Sequence, residues 1–597
     1  MAYYYPKLEQ EVKNIEVEHA VRDKLIKHHA LILTWFKTIC DEIDGQTPLH
    51  INHSYRDIFL KEKDKDVKFV KDLAKDYGEI FIAFRKNLYR DSEEFAPCYA
   101  GFKMIPLNMK EVQEPIKIRY KPWKEYLVSK LCNDLLINMI APNYSFIYDW
   151  FYIKNSKKGL FDNTSQYERM KNSEIAKEVV RVLLEAQRNT YIGVEVVESL
   201  TRENDQIKKW INNKFKKLSD KIDDPIAYCS EEIIMSEVTL AFANENVGRT
   251  FAELLDITKR SNTLHKRMGT PFKDEGYTFF AKYMFDICYG LFVLNSRIGA
   301  LHGDFHLNNA SIGHLLHREL YEKDDYDIEK DRVLYHISAD TEFLFPNNGY
   351  GSFVIDFSRA IINPKNIDMY RDKSLPANYQ IVSNEEKFSV NEMNNLLNLY
   401  IQLFPNKMKQ KDELVVIFKN YFDAIFKLLT AIDTYMFTIR LLRVFRQPDH
   451  KTGDRIVSLV EKIHKISELC LTNEVNKLIE DTSSYSKKIL SDDYPMLKIM
   501  KECFAEFMNP EIIDPTKYVL KDVFNYENEM KYSMAKYDLI PEIVKDPKYV
   551  NENGKLVQFE ESWTANYKKY YNLHESRKIK NLEMMNYIAI RHYQKFL

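Results

Sequence analysis

The sequence has no pair of cysteines at CxxC spacing. Its seven cysteines, Cys40, Cys98, Cys132, Cys229, Cys288, Cys470 and Cys503, are scattered over 597 residues. They are too sparse for a disulfide framework and fit a reducing, intracellular compartment. Charge of one sign is not in excess either: 86 Lys and Arg face 88 Asp and Glu. The chain as a whole therefore lacks the electrostatic footprint of a nucleic-acid binder. Glycine is scarce, at 16 residues, well under the usual share of roughly 7%. With Asn, Lys, Ile and Tyr abundant, this reads as AT-rich coding rather than the mark of a fold. Long uncharged apolar runs are also missing. The most apolar stretches carry Lys282, Asp286 and Arg297, or Asp423, Lys427 and Asp433, and the opening MAYYYPKLEQEVKN has no apolar signal core. Neither secretion nor a membrane span is expected, and no internal repeat or low-complexity tract is found.

What is there is ample material for a globular protein, with 45% hydrophobic and 13% aromatic residues in 71.0 kDa. That size exceeds what one hydrophobic core serves, so several lobes are expected. From Glu11 to about Tyr89 the apolar residues recur mostly at helical spacing, predicting a helical N-terminal region over 1–95. Between Ala96 and Tyr152 the texture becomes strand-like in CYAGFKMIPL, EPIKIRY and SFIYDWFYI. A helix, PWKEYLVSKLCNDLLINMI, lies between the last two, with Pro122 suited to its first turn. Residues 155–222 are charged and read as a helical insertion within a strand-rich lobe over 96–240. TFFAKYMFDICYGLFVLNSRIG is then a long apolar helix stopped near Gly299, and almost everything beyond residue 390 reads as helix. A large helical lobe is expected over 241–510 and a tail over 511–597.

The helix before Gly299 leads directly into ALHGDFHLNNASI, which sets several polar residues in an apolar setting. Phosphoryl transfer with magnesium requires few protein groups: a carboxylate for the attacking hydroxyl, an amide oxygen and a second carboxylate for the metal, and a cation for the phosphates. His302, Asp304 and Asn309 match H-x-D-x-x-x-x-N, the catalytic-loop pattern of kinases. An apolar strand ending in Asp356-Phe357-Ser358 follows where those enzymes carry Asp-Phe-Gly. Asp304 and Asp356 are 52 positions apart, longer than usual, and the excess is assigned to the polar loop HRELYEKDDYDIEKDR.

LHGDFHLNNASI together with FPNNGYGSFVIDFSRAI resembles the kinase-like proteins of giant DNA viruses, distant relatives of eukaryotic protein kinases. The His-Gly-Asp start and His306 also resemble aminoglycoside and choline phosphotransferases. The resemblance covers roughly residues 96–445. It implies an α+β, bilobal protein-kinase-like fold with a small strand-rich lobe and a large helical lobe, binding ATP and magnesium. It makes Asp304 the catalytic carboxylate and Asn309 and Asp356 the metal ligands, and it sets His306 where protein kinases carry a Lys. Glu125 matches the Glu of the helix whose ion pair orders the phosphates, and its partner is Lys103 on spacing or Lys117 on strand pattern. The adenine-binding segment falls near Met235, Ser236, Glu237 and Val238. Asp433 in AIDTYMF resembles the buried Asp that steadies the catalytic loop.

The pattern is also incomplete. No G-x-G-x-x-G precedes the strand-rich lobe, no A-P-E follows Asp356, and Ser358 replaces the Gly of Asp-Phe-Gly. Two readings therefore stand: a phosphotransferase acting on protein Ser or Thr, and a catalytically silent scaffold holding partners in a viral assembly. Either would work in the host cytoplasm, the viral factory or the virion. Nucleic-acid contact would have to be local, through the basic-aromatic helices KKWINNKFKK (208–217) and YKKYYNLHESRKIKN (567–581), which read more simply as solvated amphipathic faces. His302, His306, His314 and His317 could be read as zinc ligands, but Gly303 and the Asn pair point to a loop instead.

Overall fold

The computed structural model describes residues 2–3, 15–16, 67–75, 78–85, 98–108, 117–154, 235–245, 247–255, 272–314, 329–370, 385–448, 450, 452–508 and 518–530. The proposed insertion at 155–222 and the segment 567–581 lie outside the described residues. The chain is mixed α and β and divides into two compact units, one built of 29–123, 148–245 and 540–597, the other of 1–28, 124–147 and 246–539.

The first unit holds a five-stranded sheet. Its strands are β1 (Val67–Lys75), β2 (Gly78–Arg85), β3 (Cys98–Asn108), β4 (Ile147–Lys154) and β5 (Met235–Glu245), in the order β1-β2-β3-β5-β4. β1, β2, β3 and β5 pair antiparallel in sequence. The sheet thus starts near Val67, within the stretch expected to be helical. Phe69 pairs with Ala83 and Lys71 with Ile82, leaving Val70 as an extra bulged residue. That bulge resets the two-residue alternation, so Val67, Val70 and Ala74 fall at helix-like intervals inside a strand.

The second unit is mainly helical. Helix α1 (Lys121–Ile137) belongs to it from Lys124 onward and has Pro122 in its first turn, where a missing N–H costs nothing. After strand β6 (Arg249–Thr250) and helix α2 (Phe251–Leu255), helix α3 (Tyr277–Arg297) is buried continuously from Phe280 to Asn295. A helix buried on every side is central to its unit, and the charges it carries there, Lys282 and Asp286, pair with each other.

Past α3 come short strands: β7 (Ala300–Leu301), β8 (Ala310–His314), β9 (Asp331–Ser338), β10 (Thr341–Pro346), β11 (Tyr350–Val354) and β12 (Ile361–Ile362). β8 lies between β11 and β6, β7 pairs with β12, and β9 lies between β10 and a late strand. Helices α4 (Glu385–Leu403), α5 (Lys411–Asn420), α6 (Phe422–Leu429), α7 (Ala431–Phe445), α8 (Asp454–Leu469), α9 (Val475–Glu480), α10 (Thr482–Ser491) and α11 (Pro495–Cys503) follow. The late strand is β13 (Val519–Asn525), which runs parallel to β9. So the region read as a separate tail supplies a strand to the larger unit. The extra length between Asp304 and Asp356 is likewise partly a β9–β10 hairpin rather than a polar loop alone. Among the described residues no helix is long and apolar enough to cross a membrane.

Candidate functional site

The site is assembled by a sharp exit from α3. Gly299 takes φ +62°, the left-handed geometry that commonly closes a helix. The Tyr370 hydroxyl donates to the Ile298 carbonyl at 2.9 Å. The chain then runs antiparallel to β12, with Leu301 paired to Ile361 and Ala300 to Ile362. Gly303 also has positive φ, +76°, and a Cβ there would come within 2.5 Å of the Arg359 carbonyl oxygen. Only glycine suits both the dihedral and the close approach.

Asp433, in the first turn of α7, fixes this turn. Its Oδ2 accepts the His302 amide at 2.7 Å and its Oδ1 accepts the Gly303 amide at 2.9 Å. The carboxyl is fully buried, and burial pushes its pKa up to about 7, with the two amide bonds pulling the other way and Asp304 adding to the rise. His302 is buried as well. Its Nδ1 accepts the Asp304 amide at 3.3 Å, and its Nε2 is 2.9 Å from the Ile355 carbonyl. Those partners define a neutral ring protonated on Nε2, and burial holds its pKa below the usual imidazole value. The ring packs against Phe305 and Phe357 at centroid distances of 5.2 and 5.4 Å. Phe305 in turn stacks on Phe437 of α7 at 5.2 Å. His302 is thereby accounted for as a structural histidine of an aromatic core.

Three of the expected site residues come together around it. The Asn309 side-chain Nδ2 donates to the Asp304 carbonyl at 2.9 Å, and the Asn309 carbonyl accepts the Ile355 amide at 3.0 Å. Asp304, Asn309 and the residue before Asp356 are thus tied by backbone-level bonds. Asp356 has φ +69° and ψ +76°, a left-handed conformation uncommon for a residue with a Cβ. Its Oδ1 accepts the Ser358 amide at 3.4 Å, capping the short turn Phe357–Arg359. Upstream, β11 is held by the Asn143 carbonyl, which accepts the Val354 amide at 2.8 Å. His306 joins the group, with Nε2 4.0 Å from Asp304 Oδ2. His314 lies in strand β8, and His317 is outside the described residues.

Lys103 is in β3 and Lys117 in the segment before α1, both in the sheet unit, whereas Glu125 is a buried residue of α1 in the other unit. Met235, Ser236, Glu237 and Val238 lie at the start of strand β5, at an irregularity between the pairs Met235–Asn108 and Thr239–Pro106, and the strand continues to Glu245. Two features went unread. Lys124, the neighbour of Glu125, pairs with Glu392 of α4 at 2.7 Å, with both side chains under 10% exposed. The other Glu392 oxygen accepts the Ile362 amide at 2.7 Å, so one carboxylate ties α1 to β12. Arg359, the second residue past Phe357, has Nε 3.5 Å from Asp304 Oδ2.

A buried polar cluster underlies the site. Lys282 and Asp286 on α3 pair at 2.8 Å with no solvent exposure. Lys282 also donates to the Tyr350 carbonyl at 2.9 Å, while Asp286 accepts from the Tyr335 hydroxyl at 2.6 Å and the Ser352 amide at 3.1 Å. The i,i+4 spacing puts both charges on one helix face, where they anchor β9 and β11.

The sequence matches no known protein-family profile. It is 28% identical over 521 residues to the uncharacterized protein C717R of African swine fever virus, strain Badajoz 1971 Vero-adapted, a match covering 82% of this chain and 66% of that protein. The protein of the same name from isolate Pig/Kenya/KEN-50/1950 is 27% identical over the same coverage. The chain thus spans just under two thirds of the length of these curated relatives. Both relatives are viral proteins.

Proposed function

We propose that the chain has a bilobal protein-kinase-like fold and is an ATP- and magnesium-dependent phosphotransferase acting on protein Ser or Thr hydroxyls. The observation that carries this reading is the clasp of Asp304, Asn309 and Asp356 around neutral His302, fixed from α7 by Asp433. A structure that spends a buried carboxylate on two loop amides, and holds Asp356 left-handed, is organised to present the groups beside it. The donor set fits magnesium. Asn309 has committed its Nδ2 to the Asp304 carbonyl, so the oxygen end of its amide is what it offers, and Asp356 brings a carboxylate. Hard oxygen ligands from one or two side chains, completed by water and phosphate, are what magnesium takes. When bound, the ion supplies charge neutralisation for the phosphates.

In this reading Asp304, with a partly exposed side chain, accepts the proton of the substrate hydroxyl. The hydroxyl oxygen forms a bond to the terminal phosphorus, and the bond from that phosphorus to the ADP oxygen breaks. Positioning and electrostatics do most of such work. His302 and Asp433 act at one remove, by holding the loop.

The missing G-x-G-x-x-G and A-P-E favour a second reading, a scaffold of the same fold that turns nothing over. Both readings meet one experiment. Thermal unfolding with and without MgATP is expected to give a higher Tm with nucleotide, since a ligand at ~100 times its Kd contributes about 2.7 kcal/mol. A folded protein with an unchanged Tm at millimolar MgATP sinks the enzyme and leaves the scaffold.

A further inference from the structure

Asp304 has company that the reading above does not use. Arg359 Nε stands 3.5 Å from its Oδ2, and His306 Nε2 approaches the same oxygen at 4.0 Å. Arg359 is held there by its backbone. It ends the short turn Phe357–Arg359, its carbonyl oxygen lies where a Cβ on Gly303 would intrude, and Ile361 and Ile362 beyond it pair with Leu301 and Ala300. The side chain itself is half exposed, against 28% for Asp304. The fold has little need of the ion pair, because an exposed pair contributes about 0 to 1 kcal/mol. Nor is a single Nε contact at that distance the two-pronged fork that arginine makes with a carboxylate it is built to hold.

We propose that Arg359 is a phosphate-holding residue, whose guanidinium engages the terminal phosphoryl group of the nucleotide and rests on Asp304 only until that group arrives. The inference rests on the phosphotransferase reading and names a residue that reading leaves idle. Guanidinium is always charged and matches phosphate oxygens in pairs, whereas an imidazole carries a full charge only when protonated. Of the two groups facing Asp304 Oδ2, Arg359 is therefore the permanent cation. Its move to phosphate also frees Asp304 to take the hydroxyl proton. The transfer balances without it: the hydroxyl oxygen gains the phosphorus, ADP leaves with the bonding pair, the proton goes to Asp304, and Arg359 gains and loses none.

The test is calorimetric binding of MgATP and MgADP to the full chain and to Arg359→Gln, Arg359→Lys and Arg359→Gln/His306→Lys. Arg359→Gln is expected to weaken MgATP by about tenfold or more while leaving MgADP within about twofold, because only ATP carries the terminal phosphate. The Lys variant should lie between, and a lysine at 306, facing the same oxygen, should restore part of the preference for ATP in the double variant. An unchanged ATP-to-ADP ratio in Arg359→Gln overturns the inference while the nucleotide site stands. Phosphotransfer that rises in Arg359→Gln also overturns it, since Arg359 would then be a brake on Asp304. If the folded wild type binds neither nucleotide, the phosphotransferase reading falls first and takes the inference with it.

Discussion

Asp433 reaches back 131 positions to His302, taking its amide N–H on Oδ2 at 2.7 Å. The bond means that a helix of the second half of the chain dictates the shape of the loop that carries Asp304.

Asp433→Asn puts an amide NH₂ opposite one of two donor N–H groups, so at least one buried bond is lost. Such a bond to a charged group contributes about 1.5 to 3 kcal/mol, and Tm should fall accordingly. The pH dependence has a definite sign. Burial raises this carboxyl from 3.8 to about 7, so the folded protein binds the proton more tightly than the unfolded one. Stability from this group falls as pH rises from the lower value towards the upper one, and is level beyond it. Urea midpoints taken from pH 5 to 8 should show the gap between wild type and Asp433→Asn narrowing with rising pH. A gap that widens contradicts the assignment.

Asp304→Asn and Asp356→Asn should separate two jobs. In the proposed phosphotransferase the first would remove the proton acceptor and keep the proposed metal ligands, so nucleotide binding should persist while turnover drops by about 10²- to 10⁴-fold. The second would withdraw a formal charge from the proposed metal site and should weaken magnesium-dependent binding itself. A phosphotransfer assay beside a nucleotide-binding measurement reads both. Turnover that survives Asp304→Asn rejects Asp304 as the base.

Lys282→Met leaves Asp286 buried with its countercharge gone, and Asp286→Leu does the converse. Each single change should cost about 3 to 5 kcal/mol. The double variant should cost less than the two together, because neither charge is stranded. A double-mutant cycle by urea unfolding measures the coupling. Strict additivity would mean that the pair does not act as a unit.

His336 sits 2.6 Å from Glu342 and 3.3 Å from Glu527, and the bond to Glu342 above all raises its pKa from the usual imidazole value. A raised value in the fold gives stability that is complete below pH 6.5 and fades as pH climbs through the folded value. His336→Gln should flatten that decline between pH 6 and 9 in urea titrations. An unaltered slope rules out His336 as its source.

Much of the site was legible because it is written locally. His302, Asp304 and Asn309 lie within eight positions, and the run into Asp356 is a buried strand, so pattern and texture agree. The helix before Gly299 was equally plain, being a long run that is mostly apolar. What failed to read was non-local or disguised. The bulge at Val70 hid a strand behind helical spacing. The buried pair of Lys124 with Glu392 went unread, because only tertiary packing decides it. Arg359 meets Asp304 because Gly303 and the β7–β12 pairing bring two distant segments together, and no spacing rule encodes that.

The parallel pairing of β9 with β13 joins residues as far apart as Asp331 and Val519. A ribosome adding about 5 to 20 residues per second would therefore release β9 roughly 10 to 40 s before its partner strand exists. During that interval one edge of the β9–β10 hairpin would stand open to any extended chain nearby. Synthesis of this protein thus includes a waiting period, and a product cut short before residue 519 should be more prone to clump than the full chain.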